Sequence, residues 1–282
     1  LFPKGLFKMS EETLSVSVVM PVYNAEPFLA QAIEGILNQT LPEFEFIIID
    51  DASTDNSLRI IEDYAEKDKR ILLLKNEKNL GIAETRTVGT KIAKGKYIAV
   101  ADADDISIPI RFERQYNYLE THTDCGVVGG FIELFDSLTG KVLGIRKYYE
   151  DDLDLRRRIF LYSPIAQPVC MIRKEVFDNL GYYDPKYPPV EDLDLWFRLG
   201  MRYKFSNIQE ILLKYRVHAN SATISKLDKM ETITLELRQK YSHGYGYSMK
   251  ITDRFYNILI QLLRKYLPPK VKLWMFSLMR DE

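Results

Sequence analysis

The first apolar cluster of the chain, SVSVVM at 15–20, is β-branched and lacks polar alternation, which predicts a strand buried on both faces of a parallel sheet. From about Pro27 to Asn38 the spacing changes to that of an amphipathic helix, with Pro27 suited to its first turn. FEFIII then runs into Asp50 and Asp51, and a helical stretch starts near Asp55. The run ILLL at 71–74 predicts a third strand, Ile82 to Ala93 a helix stopped by Gly95, and YIAV at 97–100 a fourth strand that ends in ADADD. Strands alternating with helices in the order β-α-β-α-β-α-β predict a parallel sheet covered on both faces and joined by right-handed crossovers.

After residue 110 the alternation stops. A helix from Arg111 to Glu120, a strand at 126–130 and a turn at DSLTGK between extended segments predict a mixed region. Residues 10–108 are thus read as a nucleotide-type half, and 109–225 as an appended half of mixed strands and helices sharing its sheet. Residues 226–282 form a helical C-terminal appendage. There Phe255, Ile258, Leu259, Leu262 and Tyr266 fall on one side of a helix from Asp253 to Leu267, with Arg254, Arg264, Lys265, Lys270 and Lys272 supplying charge. At ~1.5 Å per residue that helix is too short to span a bilayer.

Composition narrows the function. The 282 residues carry 39 basic and 40 acidic side chains, so the chain as a whole is no polyanion binder, and no nucleic-acid recognition motif is present. The charge is uneven: residues 241–282 hold seven basic and three acidic residues, a surplus of +4, which leaves −5 for the remainder. Two cysteines, Cys125 and Cys170, make no disulfide framework, and three histidines without zinc-site spacing leave any metal to carboxylates. LFPKGLFK before Met9 lacks the apolar core of a secretory signal and reads as a remnant or leader, and no run of ~18 apolar residues occurs, so the default address is cytoplasmic.

Ligands of open parallel sheets bind at the carboxyl ends of the strands. Two strands here end in acids: Asp50 and Asp51 after the second, and Asp102, Asp104 and Asp105 after the fourth. A single strand-end aspartate most often makes a turn or a cap; four or five at one sheet edge point to binding. The first strand is followed by PVYNAEPF, with no glycine-rich turn to cradle a pyrophosphate, which argues against dinucleotide and P-loop chemistry. A diphosphate bridged to carboxylates by Mg²⁺ or Mn²⁺ is compatible with these acids.

Five blocks in this order, SVVMPVYNAEPFLAQAIEGILNQT, FEFIIIDDASTDNS, NLGIAETRTVGTKIAKGKYIAVADADD, PVEDLDLWFRLG and YRVHANSATIS, resemble a family 2 glycosyltransferase of the GT-A fold, over about Ser15 to Ser225. The resemblance implies an α/β fold in which a mostly parallel nucleotide-binding sheet is fused to a mixed acceptor-side half. It places Pro21, Val22, Tyr23 and Asp51 around the base, with Arg86, Asp102 and Ala103 also on the nucleotide. Asp104, in the Asp-x-Asp triplet, binds the metal, and Asp192 acts as general base, with Glu191 and His218 in the substrate site. The chain has Thr85-Arg86-Thr87 where the family often has Ala-Arg-Asn, and Gln167 where it often has a histidine before the proline. Among the aromatics, Tyr182, Tyr183 and Tyr187 are the acceptor-side candidates because they closely precede Glu191.

The expected activity is metal-dependent, inverting transfer of a sugar, from a UDP-sugar, to a glycan or lipid-linked saccharide. The basic tail is expected to touch the inner face of a membrane or to pair with a second copy. Two rival readings are a sugar nucleotidyltransferase, which requires a glycine-rich loop after the first strand, and a non-catalytic glycan- or nucleotide-binding module.

Overall fold

The computed structural model describes residues 14–218, 226–244, 246–263 and 266. The leader, most of YRVHANSATIS after His218, and the tail cations from Arg264 onward lie outside the described residues. Strands β1 (Val16–Val22), β2 (Phe44–Asp50), β3 (Ile71–Lys75) and β4 (Tyr97–Val100) are parallel in the order β3-β2-β1-β4. Helices α1 (Glu26–Leu37), α2 (Ser57–Ala65) and α3 (Ile82–Ile92) connect them. Successive side chains of a strand face opposite ways. Here both faces are covered: Val18, Met20, Phe46 and Ile48 pack with Leu29, Ile33 and Ile36, while Val19, Ile47, Ile49 and Val100 pack with Ala83 on the other side. Gly89 allows α3 to lie close to the sheet, since a Cβ there would sit 2.6 Å from Val19 and 2.7 Å from Ile49.

The sheet continues through the second half, made of β5 (Ile106–Ser107), β6 (Cys125–Asp136), β7 (Val142–Arg146), β8 (Met171–Arg173) and β9 (Lys204–Val217). Past β4 the order is β8-β6-β9-β5, with β8 antiparallel to β4 and to β6, β6 parallel to β9, and β7 hairpinned onto β6. The strand expected at 126–130 runs on to Asp136, because Gly129 and Gly130 are followed at Phe131 by a register shift and not by an end. A Cβ at Gly130 would lie 2.7 Å from the Leu212 side chain, so glycine lets the neighbouring strand close in at that irregularity.

The helices of this half are α4 (Arg111–Thr121), α5 (Asp152–Arg158), α6 (Lys174–Leu180) and α7 (Glu191–Leu199). At the C-terminal end α8 (Leu227–Lys240), the small hairpin β10 (His243–Gly244) and β11 (Tyr247–Ser248), and α9 (Ile251–Leu263) follow. α8 is not a loose attachment: Ile233, Leu237 and Tyr241 join Phe160, Trp196 and Phe197 in the core. No helix among the described residues is long and apolar enough to cross a membrane.

Candidate active site

The carboxyl ends of β1, β2 and β4 lie side by side, and the loops after β1 and β2 are locked together. Asn24 and Ala52 both adopt left-handed backbone, at φ 50° and 58°. Such conformations persist at non-glycine residues only where the surroundings over-determine them. The surroundings do so here: Asn24 Oδ1 accepts from Thr54 N at 2.8 Å, Ser53 Oγ from Asn24 N at 3.1 Å, and Ser57 Oγ from Ala25 N at 2.9 Å. Glu26 in turn accepts from both the backbone and side-chain nitrogens of Asn56. Pro21 and Val22 are buried at the end of β1, whereas Tyr23 beyond them is 52% exposed at the rim.

Asp51 is buried and spends its carboxylate on the chain. Oδ1 accepts from Asn76 Nδ2 at 2.7 Å and Leu80 N at 2.9 Å, and Oδ2 from Gly81 N at 2.9 Å. A carboxylate has about four acceptor sites, so one remains. These bonds fix the start of α3, which carries Arg86 one turn later.

Arg86 is buried and divides its guanidinium between two acids, Nη2 donating to Asp102 Oδ1 at 2.5 Å and Nη1 to Glu191 Oε1 at 2.6 Å. Burial alone would push its pKa down, but Asp102 and then Glu191 hold it above the ordinary arginine value. One side chain from α3 therefore joins the end of β4 to the first turn of α7. Burial pushes the Glu191 carboxyl up, and Arg86 opposes this. Asp192, next along α7, is pushed up to about 7, first by burial and then by the charge of Glu191.

On the other side of Asp102, Ala103 is buried and Asp104 is partly open, with its Oδ2 3.0 Å from His218 Nε2. Burial and the neighbouring Asp102 raise the pKa of Asp104, while His218 pulls it down. Asp105 is buried deeper, with Oδ1 accepting from Arg216 N at 2.9 Å and Oδ2 left without a partner.

Arg216 was not a sequence candidate, yet it fastens this loop. Its Nε donates to Asp104 O at 2.8 Å and its Nη2 to Gln31 Oε1 at 2.7 Å, and its guanidinium lies 4.7 Å from the ring centres of Phe28 and Phe135. Phe28 also packs on His218, with ring centres 4.8 Å apart. The only signal in the sequence was its position two residues before His218.

Among the described residues no three metal-ligating side chains converge. Asp104 and His218 nevertheless offer one oxygen and one nitrogen side by side, in a loop where burial and then neighbouring acids raise the pKa of Asp104 and Asp105, an environment that favours an added positive charge. Hard oxygen with imidazole suits Mn²⁺ and, for the oxygen alone, Mg²⁺; the remaining ligands would come from substrate or water. The donor set thus fits a divalent cation that binds together with a ligand.

The tyrosine candidates divide. Tyr183 is buried with its hydroxyl accepting from Gln167 Nε2 at 2.8 Å, so it belongs to the core. Tyr182 stacks on Phe177, and Tyr187 accepts from Lys240 Nζ. Asp194, which as a sequence position suits a helix start, is also buried and takes bonds from Arg198 Nε at 2.8 Å, Lys240 Nζ at 3.0 Å and Tyr241 Oη at 2.9 Å. It ties α7 to α8.

Residues 17–181 match the family model described as Glycosyl transferase family 2. An uncharacterized glycosyltransferase of Methanocaldococcus jannaschii is 37% identical over 220 residues, covering 77% of this chain and 75% of the relative. Two solved structures share the fold at low identity. S. aureus TarS 1–349 in complex with UDP-GlcNAc superposes with a TM-score of 0.66 at 20% identity, over 82% of this chain and 67% of that one. A mannosyltransferase from Pyrobaculum calidifontis in complex with GDP-Man and Mn²⁺ gives 0.65 at 14% identity, over 95% of this chain and 80% of that one.

Proposed function

As this chain belongs to glycosyl transferase family 2 and is a glycosyltransferase of the GT-A fold, we propose that it transfers a sugar from a nucleoside-diphosphate sugar, a UDP-sugar first, to a glycan or lipid-linked saccharide. The observation that carries this reading is the Arg86 bridge: it sets the acids after β4 beside Glu191 and Asp192, so that donor-side charge and a base share one cleft wall.

In this reading the loops after β1 and β2 hold the base. Tyr23 supplies a stacking face and Asp51 its one remaining acceptor site, with Pro21 and Val22 as the floor. Asp102 and Ala103 flank the ribose and diphosphate, and Arg86 holds the Asp102 carboxylate in position through its hydrogen bond. Asp104, with His218 beside it, would hold Mn²⁺ or Mg²⁺, which when bound supplies Lewis-acid neutralisation of the departing diphosphate.

Asp192 takes the proton of the attacking acceptor hydroxyl at a carboxylate oxygen. A base poised near the working pH combines adequate basicity with a populated carboxylate, and Asp192 at about 7 meets that condition. In this reading the course is inverting, a single displacement that needs no enzyme nucleophile. Glu191, neutralised by Arg86, stays out of proton transfer and holds Asp192 in place.

The test is hydrolysis of UDP-, GDP- and dTDP-sugars with Mn²⁺ or with EDTA, in wild type, Asp104→Ala and Asp192→Ala. Metal-dependent release of one nucleoside diphosphate, lost in Asp104→Ala, is the expected result. No turnover together with no metal-dependent nucleotide binding by calorimetry would leave only a binding module.

A further inference from the structure

Helix α9 is inside out for a helix on a water-facing surface. Its inward side carries buried polar groups beside the partly buried Tyr256 and Ile260: Asp253 and Asn257 are buried, and Asn257 accepts from Arg238 Nη1 at 2.9 Å and donates to Phe160 O at 3.2 Å. Its outward side is apolar. Ile251 is 87% exposed, Phe255 71%, Ile258 49% and Leu262 65%, at spacings of four, three and four residues that put them on one stripe. Leu259 widens the stripe, and Tyr266, 82% exposed, follows just beyond the helix. A contiguous apolar face of this kind marks a contact site.

Charge identifies what covers it. Lys250 and Arg254 are exposed at the start of the helix, and from Arg254 to Arg280 the chain contains no acidic residue but has Arg264, Lys265, Lys270 and Lys272. The single acid of the helix, Asp253, is turned inward. Two copies of so cationic a face would repel one another on pairing, whereas an anionic surface with an apolar interior satisfies both features at once. Residues 267–282 continue the same composition with Leu273, Trp274 and Phe276.

From these observations we infer that the outer face of α9 is a docking site for an anionic lipid bilayer, on which the helix lies flat. This goes beyond the sugar-transfer reading and does not depend on it. It gives the enzyme a fixed seat at the surface where a lipid-carried acceptor would be found.

The experiment is flotation of the full chain with vesicles of phosphatidylcholine alone and of phosphatidylcholine with phosphatidylglycerol. Three proteins are compared: wild type, Phe255→Ser/Ile258→Ser/Leu262→Ser, and Lys250→Glu/Arg254→Glu. Thermal melting and light scattering accompany each. Wild type is expected to float with the anionic vesicles only, and less so as salt rises. The triple variant, folded because it changes only exposed side chains, is expected to partition about tenfold or more weakly, and the charge variant to lose most of the preference for anionic lipid. Equal flotation of wild type and triple variant, or none by wild type, would overturn the inference. A wild-type dimer that falls apart in the triple variant, without flotation, would assign the face to a second copy instead. If the triple variant melts early, the charge variant decides: unchanged binding to anionic vesicles counts against the bilayer.

Discussion

Helices α7 and α9 both hold buried acids, but they dispose of their apolar residues in opposite ways. α7 turns Leu193, Leu195, Trp196 and Phe197 into the core and gathers Glu191, Asp192 and Asp194 in its first turn. α9 turns Asp253 and Asn257 inward and leaves Phe255, Ile258 and Leu262 outside. Periodicity reveals that a helix has two sides; only the partners available to each side determine which one is buried. For α9 the inward partners are polar, Arg238 and a backbone carbonyl of Phe160, so its polar side is the one satisfied inside.

The sharpest test of this contrast is on the reaction. Asp192→Asn is expected to lower the transfer rate by ~10²–10⁴-fold, chiefly in kcat, whereas substitutions on the outer face of α9 leave donor hydrolysis in solution unchanged. Wild-type activity is expected to fall as pH drops below about 7, where Asp192 becomes protonated, and this limb is expected to disappear in Asp192→Asn. The same group bears on stability with a definite sign. The folded chain retains this proton up to about 7 while the unfolded chain loses it near the ordinary aspartate value, so ionisation costs stability as pH rises through that window. Asp192→Asn should therefore melt higher than wild type at pH 8 and equally at pH 4.

Next in size is Arg86→Met. It strands the buried Glu191 charge, for an expected loss of about 3–5 kcal/mol in denaturant unfolding, part of which Glu191→Gln in the same chain should restore. Trp196→Ala in α7 empties a fully buried site and is expected to cost about 3–5 kcal/mol. Lys240→Met removes one of the donors to Asp194 and is expected to cost about 1 kcal/mol, a small value because the lysine is half-exposed. Smallest is Phe255→Ala, expected within about 0.5 kcal/mol of wild type; a loss comparable to that of Trp196→Ala would mean that the outer face of α9 is packed in the free protein and would erase the contrast.

Much of the first half was legible in the sequence. β1 to β4 fall within two residues of their apolar runs, because β1, β2 and β4 are buried on both faces and the edge strand β3 still pairs along its apolar run. β6 was read short because paired glycines resemble a stop when they in fact admit Leu212 at a register shift. Within the candidate site, the local motifs marked Asp102, Asp104, Glu191 and Asp192, but the partners of Arg86 are 16 and 105 residues away, and no local pattern encodes such a pairing. Arg216 escaped for the same reason: it acts on a loop 112 residues earlier. The stripe on α9 was visible, and its direction was not.

α8 stands between the two contrasted helices and grips both. Lys240 holds Asp194 of α7, and Arg238, two residues before it, holds Asn257 of α9. In mechanical terms it is a short rod with a joint to each neighbour, so a load borne by α9 reaches the turn that carries Asp192 through two side-chain linkages. The outer face of α9 and the turn that carries Asp192 are thus linked through the same piece of backbone.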